Sequence, residues 1–579
     1  MTRNADVAER LEEFADLLEA KDVEYKPRAY RRAAETVRGH PASVAGLANE
    51  GEDALTDLDH VGDAIAAKIV EYVETGTIGE LEDLREEMPV EMGALTSVEG
   101  VGPKTVGRLY EALGVRTLDD LEAAAEAGEI RDVEGFGQKT EQNILDGIAF
   151  AREARERQLL GDGRPRGERV VAYVAEQDAV ANCDLAGSIR RWRPTVGDVD
   201  VLAASEDAEA VVSALTEWSA VETVIEAGEQ KASVRVDGVR VDLRVVAPRE
   251  FGSALQYFTG SRDHNVALRN RAIERDLKMN EYGVFDVADV DDPDAGQRVG
   301  ERVAGADERS MYAALDLPWI PPELREDTGE IEAAAGDELP DLLEEGDVRG
   351  DLHLHTDWSD GGHAIAEMVD AAADFGHDYV AVTDHATGPG MVGGVGVPDD
   401  ELREQLDAVA EVAADAPIDV FTGVEANVAA DGTVSVADDL MAEMDFVVAS
   451  PHAGLDGDGT DRLVTAAEHP HVDAIGHPTG RLLNQRRGLD VDVEALASAA
   501  AEHGTALEIN ANPARLDLEG HPVKTAIGAG ATIVINTDAH SPAEYEHVRY
   551  GVHTARRGWA EREDVLNTRD ATGIREFIE

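Results

Sequence analysis

The chain is short of cysteine, lysine and long apolar runs, and its first half is short of histidine. A single cysteine, Cys183, excludes an intrachain disulfide and a cysteine-rich zinc site. It suits a reducing compartment, and a cytoplasmic location is expected. No apolar run approaches a membrane span, so no membrane partner is expected. Residues 1–20 are acidic and amphipathic, without the basic end and apolar centre of a signal peptide. The only lysines are Lys21, Lys26, Lys68, Lys104, Lys139, Lys231, Lys278 and Lys524, so nearly every base is arginine. Only His40, His60 and His264 precede residue 350.

Acid is what the chain has in excess. It carries 120 acidic and 52 basic residues over 579 positions, a net charge of −68 with a pI near 4.4. That length exceeds one ordinary core and predicts several domains, and 43% hydrophobic residues suffice to fold them. Acid this abundant often marks a disordered, solvating chain. Here the acids are interleaved with apolar residues rather than run in blocks, which argues for folded domains. High acid with scarce lysine resembles the proteins of salt-accumulating halophiles. The charge then describes the solvent first, and a nucleic-acid partner stays open. At about 1 M salt the screening length is only about 3 Å.

Residues 1–150 predict helices, with apolar spacings of three and four at Val7, Leu11, Phe14 and Leu18. Three apolar-x-Gly turns recur there, ending at Gly62, Gly102 and Gly137. Two are close copies: Gly100-Val-Gly102-Pro-Lys104-Thr and Gly135-Phe-Gly137-Gln-Lys139-Thr. Such a turn opening a helix presents unpaired N–H groups to a phosphate, and a lysine just inside adds charge. Retention of scarce lysines at two equivalent places predicts helix-hairpin-helix modules that hold a DNA backbone without reading sequence.

Residues 170–250 alternate β-branched and polar residues and predict antiparallel strands. Within them lies Gly187-Ser188-Ile-Arg-Arg191, followed by Gly197-Asp198-Val-Asp200. Asp198 and Asp200 are two apart, so on a strand both face one side. With Asp242 from a neighbouring strand they form an oxygen cage for hard divalent ions, Mg²⁺ or Mn²⁺. Two ions held this way suit in-line attack of a 3′-hydroxyl on a triphosphate. Gly187 and Ser188 let backbone and hydroxyl approach the phosphates, and Arg191 clamps them.

This region resembles the nucleotidyltransferase core of family X DNA polymerases. The segment Tyr257-Phe258-Thr-Gly260-Ser sharpens the likeness. The resemblance implies that Tyr257, Phe258 and Gly260 shape the sugar pocket, and that Asn265 and Arg269 touch the nascent pair and template. Asn265 and Arg269 also lie four apart, on one helix face. It further aligns Lys68 with the family's Schiff-base lysine, which would need a lowered pKa. His60 and Ala64 depart from the usual glycine and basic residue there.

An acidic, Pro-containing stretch, 321–347, is expected to be a linker. Beyond it, short apolar runs alternate with helical segments and predict a parallel α/β barrel. The run opens Asp351-Leu-His353-Leu-His355, with Asp360 in the next loop. Later predicted strands end at His385, Glu425, His452, His477 and Asp538-Ala-His540. The C-terminal strand ends of a barrel meet at one rim, so these groups converge. Mixed imidazole and carboxylate ligands suit Zn²⁺, Mn²⁺ or Fe²⁺, two or three ions in all. His363, His469, His471, His503 and His521 fall off the strand ends and are expected at the surface. The pattern resembles the PHP (polymerase and histidinol phosphatase) domain, with all nine of its ligand positions filled.

The expected organisation is a multidomain chain. A helical lyase-like helix-hairpin-helix domain covers 1–90 and a second helix-hairpin-helix region 91–150. An α+β nucleotidyltransferase palm covers 151–250 and a thumb 251–320. The linker precedes a distorted α/β barrel over 348–579, of about seven parallel strands. The expected function is gap-filling DNA synthesis in repair, acting as a monomer on gapped or primed DNA with dNTPs. The barrel would add 3′–5′ exonuclease or 3′-end processing, and abasic-site cleavage. One alternative makes the barrel the sole catalyst and the first half a DNA-binding module. Another is a small-molecule phosphatase. DNA affinity would rest on the hairpin N–H groups, Lys104, Lys139 and the stretch Arg262 to Lys278.

Overall fold

The computed structural model describes residues 4–23, 26–39, 44–56, 58, 60–98, 100–391 and 395–578. The chain forms two compact units. One is Met1–Glu156 with Asn484–Arg486, and the other Arg157–Leu483 with Arg487–Glu579.

The first unit is helical. In α1 (Asn4–Ala20) the predicted stripe Val7, Leu11, Phe14 and Leu18 is buried. The three repeated turns open α2 (Asp63–Thr75), α3 (Pro103–Leu113) and α4 (Gln138–Glu156). Gly100 and Gly135 take left-handed φ values of 78° and 85°, and His60 holds the equivalent place at 61°. A glycine adopts that conformation freely; histidine does so at a cost of roughly 1–2 kcal/mol. Lys104 and Lys139 are both exposed beside their turns.

The second unit begins with α5 (Leu160–Ala175), β1 (Asn182–Leu185) and the short α6 (Gly187–Arg190). Strands β2 (Val199–Ala204), β3 (Val221–Ala227), β4 (Lys231–Val236) and β5 (Val239–Val246) complete a five-stranded sheet, ordered β1-β2-β5-β4-β3. The β4–β5 hairpin is antiparallel, as its alternation predicts. The pairing of β2 with β5 is parallel, which corrects the all-antiparallel expectation. Alternation shows which face a strand buries but not the direction of its neighbour. The parallel register sets Asp200 directly opposite Asp242.

The thumb contains α7 (Phe251–Thr259) and α8 (Arg262–Ile273). Strands β6 (Leu277–Asn280), β7 (Gly283–Asp286) and β8 (Glu301–Ala304) follow, paired antiparallel in the order β8-β7-β6.

The stretch 321–347 is not the expected linker. It carries α9 (Glu330–Gly336) and buries Glu323, Arg325 and Glu330. Arg325 meets Glu308 at 2.6 Å, and Glu330 meets His264 at 2.6 Å. Its acids Glu323 and Glu326 pair with Arg556 and Arg557. In a chain with acid everywhere, acid content cannot mark a spacer.

Seven parallel strands then form the barrel: β9 (Gly350–Leu354), β10 (Tyr379–Val382), β11 (Asp419–Asn427), β12 (Phe446–Ser450), β13 (Ala474–Ile475), β14 (Ala506–Asn510) and β15 (Ile533–Asn536). They pair in sequence order, and Leu354 bridges Ala539 to bring the last strand beside the first. Most are short apolar runs buried on both faces, which is why they read as continuous rather than alternating, whereas β11 starts exposed at Asp419. The last long helix, α10 (Val548–Arg557), places Tyr550 in the core of the palm.

Candidate active sites in the palm and the barrel

In the palm, β2 and β5 deliver three carboxylates to one point. Ligand atoms of Asp198, Asp200 and Asp242 lie within 4.8 Å of one another. Asp200 and Asp242 line a cleft of about 260 Å³ together with Ser233, Arg240, Arg244 and Phe258. Burial, then the charges of Asp198 and Asp242, push the Asp200 carboxyl up to about 7. Burial and Asp242 likewise raise Asp198. Arg240 donates to Asp242 at 3.1 Å, and the Ser233 hydroxyl donates to the same carboxylate. Three acids so close repel unless a cation joins them, so the donor set fits hard divalent ions.

Gly187 is packed under this cluster. A Cβ there would stand 2.0 Å from Asp200 Oδ2, on a backbone at φ 63°. Next to it, Arg191 donates from Nε to Glu326 at 3.0 Å and from Nη1 to the Thr259 carbonyl. Gly260, at φ 66°, lies against that guanidinium and the Asn265 amide. Asn265 bonds inward, accepting from Gln256 at 2.8 Å and donating to the Tyr257 carbonyl at 2.7 Å. It holds the α7–α8 corner, while Arg269 is exposed and shares a pocket with Tyr257. Lys278, expected on the DNA path, donates instead to the carbonyls of Pro293 and Gly296.

Lys68 does not have the environment a Schiff-base lysine needs. Burial acts to lower its pKa, but Glu80, 2.7 Å away, and Tyr30 outweigh that and raise it. The ammonium is stabilised, which opposes nucleophilic use.

At the barrel rim all nine predicted groups meet. Ligand atoms of His355, Asp360, His385 and His540 cluster within 4.8 Å, as do those of His353, His355 and Glu425, and of His385, Glu425 and His452. His477 joins through Glu425 at 3.0 Å, and Asp538 through His355 at 3.0 Å. Glu425 is the hub. Burial would raise its pKa, but His385, His452 and His353 hold it well below the usual carboxylate range. The same contest keeps Asp360 and Asp538 ionised. Burial pulls His385 down, yet Glu425 and Asp360 hold it near 10. His477 is pushed to about 4 by burial and by Arg515.

Several of these atoms are buried without a hydrogen bond: His353 Nε2, both ring nitrogens of His355, His385 Nδ1, His452 Nε2, His477 Nδ1 and Glu425 Oε2. Unpaired groups cost about 1–3 kcal/mol each. The set therefore fits divalent transition-metal ions, whose natural ligands are imidazole and carboxylate.

Sequence reasoning missed the groups that orient this cluster. Glu508, wholly buried on β14, lies 2.7 Å from His353 Nδ1 and accepts from the His477 amide. Asn427 lies 2.7 Å from His452 Nδ1. Such partners fix the tautomer and ring angle of a metal-binding histidine. The available signal was an acid inside the apolar run Ala506-Leu-Glu508-Ile. Arg515, on the loop after β14, comes within 3.6 Å of Asp538 and was also missed.

Comparison with known proteins agrees with this layout. Residues 2–78 match the helix-hairpin-helix domain family and 92–149 the SAM-like helix-hairpin-helix tandem. Residues 254–326 match the DNA polymerase beta thumb and 351–512 the PHP domain. Asp538 and His540 lie beyond that last match. The DNA polymerase/3′-5′ exonuclease PolX of Bacillus subtilis is 35% identical over 581 residues, covering 99% of each chain. DNA polymerase lambda of Rattus norvegicus is 24% identical over 342 residues, 56% of each chain. A probable phosphatase of Caldanaerobacter subterraneus subsp. tengcongensis is 28% identical over 206 residues, 33% of this chain and 75% of its own. With both halves matched in one relative over its full length, the chain belongs to the PolX family, the family X DNA polymerases that carry a C-terminal PHP domain.

Proposed function

We propose that the protein fills short gaps in DNA and trims or repairs the 3′ end, using separate sites in palm and barrel. The observation that carries the first activity is the parallel register that sets Asp200 against Asp242, with Asp198 beside them. When bound, divalent ions would supply charge to activate the 3′-hydroxyl and neutralise the triphosphate in the palm, and Lewis acidity toward a phosphoester in the barrel.

The chain's own residues do the rest. Asp198, Asp200 and Asp242 would hold Mg²⁺ or Mn²⁺. Gly187 and Ser188 bring backbone and hydroxyl to the phosphates, and Arg191 grips them. Tyr257, Phe258 and Gly260 form the corner against which the sugar rests, with Asn265 bracing it. Exposed Lys104 and Lys139, with the N–H groups after Gly100, Gly102, Gly135 and Gly137, hold the DNA backbone. Arg269 faces the duplex. In the barrel His353, His355, Asp360, His385, Glu425, His452, His477, Asp538 and His540 would hold two or three Zn²⁺, Mn²⁺ or Fe²⁺ ions. Arg515 beside them suits a substrate phosphate. We further infer a repair role, a monomer in the cytoplasm, and operation at high salt. We keep the domain limits read from sequence as part of this proposal, with 321–347 assigned to the folded body. Among the described residues no helix is long and apolar enough to cross a membrane.

The test is primer extension and 3′ resection on gapped DNA at multimolar KCl with Mg²⁺ or Mn²⁺. Asp200→Ala is expected to abolish nucleotide addition and keep resection. His353→Ala should do the reverse. Gap filling that survives Asp200→Ala would sink the polymerase reading.

A further inference from the structure

The nucleotide-binding turn of the palm is held by a helix of the PHP domain. Helix α10 presents His553 and Arg557, four residues apart and so on one face. The His553 ring stacks on Trp192, with centroids 3.5 Å apart and planes 7° from parallel. Trp192 directly follows Arg191 and stands at φ 54°, with the Arg164 guanidinium 3.4 Å from its ring. One turn along, Arg557 Nη1 donates to the Arg191 carbonyl at 2.8 Å and to Glu326 at 3.3 Å. The same Glu326 oxygen accepts from Arg191 Nε at 3.0 Å.

Arg191 is thus fixed at both ends. Its backbone is tied to the PHP domain, and its guanidinium to Glu326 through Nε and to the Thr259 carbonyl through Nη1. That leaves Nη2 to meet a phosphate. Arginine carries much rotamer freedom, and immobilising it beforehand spares that cost on binding. Glu326 is only 19% exposed and Arg557 7%, so neither contact is a solvated surface pair of little worth.

We propose that Arg557, acting through Glu326, is a positioning residue for nucleotide addition, so that the PHP domain completes the polymerase's triphosphate site independently of its own hydrolytic chemistry. This rests on the reading of Arg191 as the triphosphate clamp.

The test is steady-state gap filling and 3′ resection by the full chain carrying Glu326→Gln, Arg557→Ala or Arg557→Lys. Because the clamp serves ground state and transition state alike, KM for dNTP should rise about tenfold while kcat stays nearly constant. Arg557→Lys should recover part of the loss, and the Glu326→Gln/Arg557→Ala double variant should be no worse than the poorer single variant. Resection should match wild type. An unchanged KM in Glu326→Gln and Arg557→Ala overturns the proposal. So does a parallel loss of both activities, which would mark a purely structural role. If Arg557→Ala does not fold, the near-isosteric Glu326→Gln decides alone. Absence of nucleotide addition in the wild type would instead refute the polymerase reading itself.

Discussion

At the scale of single residues, the palm is decided by what Gly187 lacks. The residue has φ 63°, and its missing Cβ is the space that Asp200 occupies. Gly187→Ala should therefore do two things. Left-handed strain costs roughly 1–2 kcal/mol of stability. The larger effect is displacement of the Asp200 carboxylate, which should cut gap filling at least about a hundredfold, since small misplacements at a reacting centre are costly. Primer extension alongside a thermal melt checks this; wild-type activity in a folded Gly187→Ala protein would refute it. Gly187, Asp198 and Asp200 were legible because their spacing carries the chemistry. Asp242 was legible only by context, and Glu508 not at all, because one acid within an apolar run does not announce which histidine it orients.

At the scale of elements, the segment after the thumb behaves as a clasp. Glu323 is buried and lies 2.7 Å from His553 Nδ1 and 2.8 Å from Arg556 Nε, both on α10. Burial acts to raise its pKa, but His553 and Arg556 win and lower it to about 2. The sign follows from linkage. A carboxylate depressed in the folded state contributes stability that is full above its unfolded value, near 4.5, and drains away as pH falls toward about 2. Glu323→Gln should cost about 3 kcal/mol near neutral pH, as expected when one partner of a buried pair is removed. The gap in Tm between variant and wild type should narrow below about pH 4.5. A gap that stays constant from pH 7 to pH 4 would contradict this assignment. The strand elements were readable from apolar runs and alternation. The clasp was not, because acid is too common here to mark either a linker or an ion-pair partner.

At the scale of the whole molecule, the net charge of −68 shapes how the protein works. In dilute salt, self-repulsion opposes the compact state and repulsion from DNA opposes binding. At about 1 M salt the screening length falls to about 3 Å, and both effects fade. Counterion release also weakens, so contacts made at short range must carry DNA affinity. On the proposed reading the exposed Lys104 and Lys139, beside their helix N-termini, would supply such contacts. The prediction is an enzyme that loses stability and gap filling as KCl is lowered from multimolar to 0.1 M. Full stability and activity at 0.1 M would refute it. Dialysis followed by melting and primer extension measures both.

The sequence by itself determined the chemistry of each half, because that chemistry depends on residue types at short spacings: Gly187-Ser188, Asp198-x-Asp200, His353-x-His355, and single groups at predicted strand ends. It also determined the barrel, since buried parallel strands must be continuous apolar runs. Tertiary structure alone decided which distant residues meet. The parallel register of β2 and β5 put Asp242 against Asp200 across 42 positions. The return of α10 to the palm put His553 and Arg557 against Trp192 and Arg191 across more than 360. Such pairings follow from the packing of whole elements, which no local spacing encodes.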